Sequence, residues 1–468
     1  MSFFQDQVYS KIPVSVQNMI ISTYGLQWKY RRFAGCYKDE LERFKFRESF
    51  TSDQWRSYQT TELQTLLIHA YETVSYYNKS FKNAGLSKSE FSKFEIEDIK
   101  KLPILSKESL RIFGASTLLS SKQSYGRQFY HSSGSTGTPT NILFSRKMHQ
   151  KWSAAFEARI RNWAGLNRFN SRGMIGGRRV VPEGVSHGPY YRYNSVEKQV
   201  YFSAYHIASI TATDYANAFY KYKPDYLTGY AMSNYILARF FDESGLNVPE
   251  LKAVITSSEK LTSEMRQMFQ KVYGCKTYDS YSGVEACGLI SENEYGQLLV
   301  SPDVGIMEIL NDQGEPCKPG EMGEIYSTGL LNYDQPLIRY RIGDKVRLAE
   351  DQRTRCGRNM VVVDEIIGRS EDIVQGPDGR QMVRFHGLYI DISGLVAGQL
   401  IQHNLSDFTI NLQVDNKVFN RQASEKLIKR RLISQLGEVF VKFEYPDKIP
   451  LGPNGKFKAV ISELQKPL

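Results

Sequence analysis

Apolar residues recur at helical spacing in the first hundred residues of the chain. Side chains spaced at i, i+3, i+4, i+7 and i+11 lie on one face of an α-helix. One such stripe consists of Leu63, Leu66, Leu67, Ala70 and Val74. Residues 1–100 are therefore predicted to be a mostly helical lead-in, and a further helix is predicted from Ser145.

Between about residue 200 and residue 300 the pattern alternates between short apolar runs and amphipathic stretches. The runs 226–229 and 251–256 read as strands, each followed by a helix, and Gly274 stands where the second helix should end. Strands that alternate with helices predict a parallel sheet covered by helices. Ligands of such sheets bind outside the carboxyl ends of the strands, where Ser257, Ser258 and Glu259 fall.

Helical spacing stops between about residue 300 and residue 365. The runs 306–310 and 323–327 read as antiparallel strands joined through the turn Asn311–Gly314. The pattern of apolar and polar residues changes again after Arg369, to short strands and one helix. We therefore predict an α/β protein whose large domain, 1–368, has mostly parallel sheets and a small antiparallel barrel-like part. Residues 369–468 are predicted to form a small, mobile α+β domain with a helix from Ser424 to Leu436.

Composition excludes several classes of protein. Sixty Lys and Arg face fifty Asp and Glu, a net charge of +10, but the basic residues are spread thinly, so a solvated surface is expected and no nucleic-acid partner. Five scattered cysteines argue for a reducing compartment and against structural zinc. No apolar run is long enough to cross a membrane and the first residues resemble no signal peptide, so a cytoplasmic protein is expected.

A run of hydroxyl and glycine residues precedes the helix predicted at Ser145. It consists of Ser132, Ser133, Gly134, Ser135, Thr136 and Gly137. Glycines let backbone N–H groups approach an anion, and hydroxyls add further donors, so this composition suits phosphate. No Gly-Lys-Ser/Thr follows, which excludes a Walker A loop. Taken alone, the run is equally compatible with a flexible polar turn.

Four later segments also carry chemistry. Residues 279–285, Asp-Ser-Tyr-Ser-Gly-Val-Glu, combine a carboxylate suited to Mg²⁺ with an aromatic ring that can stack on a base. Asp344 follows a glycine turn and can accept two ribose hydroxyls. Residues 368–372 lie on the predicted domain boundary. Lys456 stands at the tip of a Pro-rich loop, where it can meet developing negative charge.

In order and content these segments resemble the adenylate-forming superfamily of acyl-CoA synthetases, nonribosomal peptide adenylation domains and luciferases. The chain is most similar to its phenylacetate–CoA ligase group, in the branch associated with capsular polysaccharide. Residues 132–139 match the phosphate loop Ser-Ser-Gly-Ser/Thr-Thr-Gly-x-Pro of that family. Residues 340–344 match Tyr-Arg-x-Gly-Asp, and 368–372 match Gly-Arg-x-Asp-Asp. The resemblance runs from about residue 60 to residue 462.

The resemblance implies ATP-dependent activation of a carboxylic acid, with Mg²⁺, and a role for each matching residue. Those that would bind the ATP phosphates are Ser132, Ser133, Gly134, Ser135, Thr136 and Gly137. Those that would surround adenine are Ser257, Ser258, Glu259, Asp279, Ser280 and Tyr281. Glu285 would hold Mg²⁺, Asp344 and Arg369 would bind ribose, Lys456 would bridge the α-phosphate and the attacking carboxylate, and Glu371 would lie at the hinge.

Substrate and acceptor are less constrained. Gly177, Tyr230 and Met232 are placed in the acyl pocket by position, although core packing explains Met and Tyr equally well. The acceptor is left open between coenzyme A, which is the family default, and an amino sugar or amino acid. The oligomeric state is left open too. Outside this class, a nucleotide-binding regulator without turnover and a basic protein that binds polyanions or membranes are the alternatives.

Some positions depart from the family pattern. Ser282 and Val284 replace a glycine and a hydroxyl residue before Glu285, so a hydroxyl near the phosphates is missing. Asn454 replaces the common serine before Gly455-Lys456. Thr138 and Thr140 stand where many relatives carry lysine, which predicts slower pyrophosphate handling.

Overall fold

The structure is a computed structural model. It describes residues 9, 12–131, 140–178, 180–181, 185, 187–207, 209–259, 261–368, 374–377, 381–382, 386–389, 392–447, 449 and 460–464. Within these ranges the chain has an α/β fold, which confirms the predicted class. Among the same residues, none of the helices combines the length and apolar character needed to cross a membrane.

Helices make up most of the first described hundred residues. They are α1 (Val14–Phe33), α2 (Tyr37–Arg47), α3 (Ser52–Thr73), α4 (Ser75–Asn83), α5 (Lys88–Phe91) and, further on, α6 (Lys107–Phe113). The apolar stripe predicted from Leu63 lies in α3 and is buried. A capping box begins α3, because the Thr51 hydroxyl accepts from the Gln54 backbone and the Gln54 side chain accepts from the Thr51 backbone.

A hairpin and a helix follow. Strand β1 (Gln128–His131) pairs antiparallel with β2 (Asn141–Phe144). Helix α7 (Arg146–Phe156) begins at the predicted place because the Ser145 hydroxyl accepts from the Met148 N–H. One π turn (Glu157–Arg161) extends it.

A twelve-stranded sheet runs through most of the remaining described chain. Its parallel strands are β3 (Arg172–Gly176), β5 (Gln199–Ser203), β6 (Tyr226–Tyr230), β7 (Ala253–Ser257) and β8 (Lys276–Tyr281), with β4 (Tyr191–Asn194) antiparallel at the edge. Its antiparallel strands are β9 (Ile290–Glu292), β10 (Leu298–Val300), β11 (Gly305–Leu310), β12 (Met322–Gly329), β13 (Tyr340–Leu348) and β14 (Val362–Gly368). The order across the sheet is β11-β12-β13-β14-β10-β9-β8-β7-β6-β3-β5-β4.

Helices cover both faces of the parallel strands, as the alternating pattern predicts. One core joins α8 (Ala212–Tyr222), α9 (Ala231–Glu243) and α10 (Ser263–Tyr273) to one face of these strands. A second core joins the early helices to the opposite face. Successive residues of a strand point to opposite faces, so the strands contribute to both cores.

The start of α9 differs from the prediction, whereas the end of α10 agrees with it. Helix α9 begins two residues before the predicted Ser233, because β6 passes into it directly at Ala231. Gly274 ends α10 in the left-handed conformation, at φ 67°, as predicted.

The antiparallel strands do not form a separate body. The predicted hairpin across Asn311–Gly314 is present as β11 and β12, with Gly314 at φ 79°. However, β8 pairs antiparallel with β9, so the parallel and antiparallel parts share one sheet. The sequence pattern separates them because β8 is the strand at which helical connections stop.

A second, four-stranded sheet follows in the C-terminal part of the described chain. Its strands are β17 (Leu395–Gln402), β18 (Asp407–Val414), β19 (Phe440–Glu444) and β20 (Val460–Ser462), after the short elements β15 (Val374–Gln375), β16 (Gln381–Met382) and α11 (His386–Tyr389). Helix α12 (Arg421–Leu436) packs on this sheet in a hydrophobic core of its own. It begins three residues before the predicted Ser424, because the Asn420 side chain caps it.

Candidate functional site

The parallel strands β3, β6, β7 and β8 are neighbours in the large sheet, and their carboxyl ends lie side by side. We call this row of carboxyl ends the strand-end edge. Tyr230 at the end of β6 pairs with Ser257 at the end of β7, and Ser257 pairs with Ser280 near the end of β8. Beyond β3, a Cβ added to Gly177 would lie 2.6 Å from the Tyr230 hydroxyl oxygen. The edge therefore brings together five residues predicted from the sequence: Gly177, Tyr230, Ser257, Ser280 and, one position beyond, Tyr281.

The chain turns sharply where it leaves β7. Ser258 has φ 75°, a left-handed conformation that a residue with a side chain rarely adopts, and Ser258 and Glu259 are partly exposed. Such strain is concentrated in ligand-binding segments of many proteins. Ser258 and Glu259 thus follow the strand end directly, as the sequence predicts.

Asp279 lies in β8 and contacts its own sheet. Its carboxylate accepts from the Ser280 N–H at 2.9 Å and from the Thr256 hydroxyl at 3.3 Å. The Glu292 carboxylate, which is paired with Arg266, accepts from the Asp279 N–H at 2.8 Å. Burial, reinforced by Glu292, raises the pKa of Asp279 to about 7. Asp279 is therefore partly protonated near neutral pH.

A hydrogen bond joins the strand-end edge to the antiparallel strands. The Tyr281 hydroxyl donates to Oδ2 of Asp344 at 2.8 Å, so it links β8 to β13. Burial and the neighbouring Asp344 carboxylate raise the pKa of Tyr281 well above its usual value, which keeps the hydroxyl protonated as a donor. Gly343 has φ 89° just before Asp344, which explains why a glycine precedes the carboxylate.

Glu285 lies just beyond Tyr281, on the connection between β8 and β9. The hydroxyl of the fully buried Tyr340 donates to its Oε1 at 3.3 Å. A Cβ on Gly283 would lie 2.4 Å from its Oε2, so the glycine leaves space for the carboxylate. Among the described residues, no Lys or Arg forms an ion pair with Glu285. A carboxylate held by a neutral hydroxyl can still accept a cation.

The surroundings of Glu285 fit a magnesium ion that is shared with a phosphate. Mg²⁺ usually takes one or two carboxylates, substrate phosphates and water instead of an all-protein cage. In the described part of the chain, no group of three or more His, Cys, Asp or Glu could hold a metal by itself. A single carboxylate with no Lys or Arg partner among the described residues, as Glu285 is, is a donor that such a shared ion can use.

In the sequence, the hydroxyl-rich run lies between β1 and β2, which pair as a hairpin. His131 and Asn141 are paired residues at its base, and His131 Nδ1 lies 2.7 Å from Asn141 Oδ1. The buried Gln335 holds β2, because its Oε1 accepts from the Leu143 N–H at 2.7 Å and its Nε2 donates to the Asn141 carbonyl at 3.0 Å. The hairpin is thus tied to the segment that leads to Tyr340.

Several predicted residues lie outside the described residues. They are Ser132, Ser133, Gly134, Ser135, Thr136, Gly137, Arg369, Glu371 and Lys456. Met232 lies in α9, but its side chain also falls outside the description. Their roles stay predictions. By contrast, Tyr281 and Asp344 contact each other, and Glu285 contacts Tyr340, which lies on the same strand as Asp344.

Three residues that make contacts at the site were not predicted to be functional. Tyr340 was noted only as part of a motif, yet its hydroxyl is the described donor to Glu285. Gln335 and Arg266 were not singled out at all. The identity of Tyr340 within Tyr-Arg-x-Gly-Asp could have drawn attention to it, whereas Gln335 carries no sequence signal.

A cysteine lies next to the site but is not a nucleophile. Cys287 is buried two residues after Glu285. Burial and the Glu285 carboxylate raise the pKa of its thiol to about 12. Because only the thiolate is reactive, covalent catalysis by Cys287 is excluded at neutral pH.

The chain is similar to a protein-family model and to individual proteins, over different shares of its length. Residues 378–463 match the family model of the CapK C-terminal domain. Protein CapK of Staphylococcus aureus is 23% identical over 466 residues, covering 98% of this chain and 99% of that protein. Phenylacetate-coenzyme A ligase of Escherichia coli K12 is 27% identical over 338 residues, covering 70% of this chain and 74% of the enzyme.

A solved structure has the same fold. The structure of 2-hydroxyisobutyryl-CoA ligase in the postadenylation state covers 89% of this chain and 91% of its own, with a TM-score of 0.58 and 19% identity. At that identity the likeness concerns the fold alone. It extends beyond the large sheet, because most of both chains is superposed.

Proposed function

We propose that this chain is a member of the phenylacetate–CoA ligase-like, CapK-containing branch of the adenylate-forming ligases, to which it is similar, and that it activates a carboxylic acid with ATP and passes the acyl group to a second substrate. The observation that carries the proposal is the Tyr281–Asp344 hydrogen bond of 2.8 Å. It joins the segment expected at adenine to the carboxylate expected at ribose. Tyr281 and Asp344 are 63 positions apart in the sequence, so the fold brings them together.

In the first half-reaction, an oxygen of the substrate carboxylate attacks the α-phosphorus of ATP. The bond to the bridging oxygen breaks, pyrophosphate leaves and an acyl-adenylate forms. Such transfer depends on positioning and on charge neutralisation more than on covalent help. Ser257 and Tyr281 would border adenine at the strand ends, while Asp344 would accept from the ribose hydroxyls.

The phosphates would lie between the hydroxyl-rich loop and Glu285. The ends of the loop are fixed by the β1–β2 hairpin, and Gln335 ties that hairpin to the chain just before Tyr340. Tyr340 in turn holds Glu285. Bound Mg²⁺ would neutralise charge on the phosphate oxygens, and the role of Glu285 is to hold one oxygen ready for it.

Lys456 would complete the site from the C-terminal part of the chain. A lysine ammonium placed between the α-phosphate and the substrate carboxylate offsets the negative charge that both carry. It stands four residues before β20 in sequence. We propose that the C-terminal domain brings it to the strand-end edge for the first half-reaction and removes it for the second, a hinge motion about residues 369–371.

In the second half-reaction, a nucleophile attacks the acyl carbon and AMP leaves. The acceptor we propose first is the thiol of coenzyme A, which gives a thioester. An amine, such as an amino sugar or amino acid, is the second candidate and gives an amide. The amine is retained because the similarity to the E. coli phenylacetate-coenzyme A ligase covers 70% of this chain, whereas the similarity to CapK, whose name specifies no acceptor, covers 98%. A place in surface polysaccharide synthesis is part of the same proposal.

The test is hydroxamate trapping across a panel of carboxylic acids with ATP and Mg²⁺, followed by mass spectrometry with CoA or amines as acceptors. An acid-dependent hydroxamate and release of pyrophosphate are expected for at least one acid. A thioester or an amide product then identifies the acceptor. ATP binding without pyrophosphate release from any acid would instead support a nucleotide-binding regulator. Salt-sensitive binding to DNA or vesicles without ATP binding would support a polyanion-binding protein.

A further inference from the structure

Helix α1 presents an apolar face to solvent. Three of its side chains are more than half exposed: Met19 at 62%, Leu26 at 59% and Tyr30 at 61%. Ile20 and Tyr24, on the flank of the same face, are exposed as well. Single exposed apolar residues are common on protein surfaces, but a contiguous patch marks an interaction site.

The spacing of this face is that of a helix pair. Residues Val16, Met19, Thr23, Leu26 and Tyr30 alternate in steps of three and four. A mean repeat of 3.5 residues keeps one seam facing a partner helix along its length, with side chains inserted between those of the partner. The opposite face of α1 packs against the rest of the protein, and Gln17, Gly25 and Arg31 are buried there.

Charge on and beside the seam favours a second copy of the same chain. Identical faces oppose one another in a two-fold pair, so repeated like charges on them would repel. The positions beside the seam are Ser15, Ile20, Ser22, Gln27 and Lys29. Lys29 is the one charged residue in that set, and α1 contains no Asp or Glu.

A lipid surface fits this helix less well. Helices that lie on anionic membranes carry several Lys or Arg beside the apolar face. Two of the three basic residues of α1 are engaged within the protein. Arg31 donates to the carbonyls of Gly126 and Phe144, and Arg32 pairs with Glu197. The third, Lys29, is exposed and its Nζ lies 3.5 Å from the Val196 carbonyl oxygen, so electrostatic attraction of this helix to lipid is weak.

The exposed area approaches what a dimer requires. A large side chain presents roughly 150–250 Å² when it is fully exposed, and the five exposed ones of α1 are each about half exposed, so together they contribute on the order of 500 Å². Tyr125 extends the patch, because the Arg146 guanidinium lies 5.1 Å from the Tyr30 ring centre and 5.3 Å from that of Tyr125. A standard interface buries about 800 Å² on each partner.

We propose that the exposed face of α1 is a homodimer interface, in which the seam Val16–Met19–Thr23–Leu26–Tyr30 packs against the same seam of a second copy. The face lies on a helix remote in sequence from the strand-end edge and shares none of its named residues. Dimerisation through it leaves each strand-end edge complete within its own chain. The inference is independent of the proposed ligase activity.

Sedimentation velocity of the full-length protein across micromolar concentrations tests the proposal. Wild type is expected to sediment as a dimer, whereas Leu26→Glu and Met19→Glu each raise the dimer dissociation constant at least ~100-fold, since buried charge at an interface centre is unpaired. Val418→Glu is the matched control, because Val418 is equally exposed, at 59%, on the C-terminal part. It should remain dimeric.

Folding is checked independently of assembly. The Leu26→Glu variant should keep the melting temperature and ATP-binding affinity of a wild-type sample measured at a concentration where it is monomeric. The proposal is overturned if wild type is monomeric throughout, or if both charge variants remain dimeric. It is also overturned if the wild-type monomer binds vesicles rich in phosphatidylglycerol and Leu26→Glu abolishes that binding.

Discussion

The strand-end edge and the C-terminal part of the chain hold their site residues in different ways. Tyr281 and Asp344 belong to strands of one large sheet and are bonded to each other, and Glu285 is bonded to the buried Tyr340. Lys456 is assigned to a loop before β20, in a part that has its own sheet and core. The difference suggests that nucleotide binding is built into the large sheet, whereas adenylation depends on an added element. Binding and chemistry should then be separable by mutation.

The largest effect is expected from Lys456→Ala. Loss of a cation that acts on the transition state should lower acid-dependent pyrophosphate exchange about 10²–10³-fold and leave the dissociation constant for ATP nearly unchanged. Exchange assays and calorimetric titration measure the two quantities. Lys442→Ala is the matched control, since that lysine is exposed on β19 of the same part and pairs with Glu444. Undiminished exchange in Lys456→Ala would refute its assignment.

Glu285→Gln should come next. The amide keeps the shape of the side chain and can still accept from Tyr340, but it lacks the charge that attracts a cation. We expect about 100-fold slower pyrophosphate exchange and a higher Mg²⁺ requirement, with smaller loss of ATP binding. Titration of the rate with Mg²⁺ measures this. An unchanged Mg²⁺ dependence would place the ion elsewhere.

Tyr281→Phe tests the link between the two halves of the edge. It removes the hydrogen bond to Asp344, so the carboxylate is less well oriented for ribose. The KM for ATP should rise about three- to tenfold with little change in kcat. In combination with Asp344→Ala, the two effects should be less than additive, because each variant removes one partner of the same hydrogen bond. Additive effects would mean that the bond does not position Asp344.

Tyr340→Phe should have a smaller effect of the same kind as Glu285→Gln. Tyr340 acts through Glu285, so the Mg²⁺ concentration at half-maximal rate should rise by roughly tenfold or less, while kcat at saturating Mg²⁺ is nearly restored. A change that served only packing would lower stability without moving the Mg²⁺ dependence. Tyr326→Phe, on the neighbouring strand β12, is the control.

The last prediction is of a different kind and concerns the stability of the fold at Asp279, not activity. Its raised pKa, about 7, means that the folded state binds a proton that the unfolded state releases near pH 4. Stability from this group therefore falls as pH rises from about 4 to 7, and the loss persists above pH 7. Asp279→Asn should remove that loss and stabilise the protein at pH 8 by on the order of 4 kcal/mol, because the two pKa values differ by about 3 units and each unit is worth about 1.4 kcal/mol. Equal melting temperatures for the two proteins at pH 8 would contradict the assignment.

Much of the fold was predictable because its signals are local. The stripe in α3, the cap at Ser145 and the glycine that ends α10 each act within one or two turns of helix. The predicted hairpin over Asn311–Gly314 is of the same kind. Continuity between parallel and antiparallel strands was missed, because the β8–β9 pairing is a tertiary contact without a sequence signature.

The candidate site was predictable in part. The motifs predicted Tyr281, Glu285 and Asp344 to be functional residues, but did not predict which residues they contact. Gln335 was missed because a single buried glutamine, far from any motif, looks like an ordinary polar residue until its contacts with Leu143 and Asn141 are seen. Assignments for residues 132–137, Arg369 and Lys456 remain predictions.

The sequence by itself determined the class of fold and the kind of chemistry, and it predicted the residues that would carry that chemistry, because residue type, spacing and order along the chain contain that information. Only the tertiary structure decided that Tyr281 donates to Asp344 and Tyr340 to Glu285, and that the apolar face of α1 lies uncovered. The physical reason is that these contacts join residues far apart in sequence. Their distance depends on strand register and helix packing, and no local pattern specifies either.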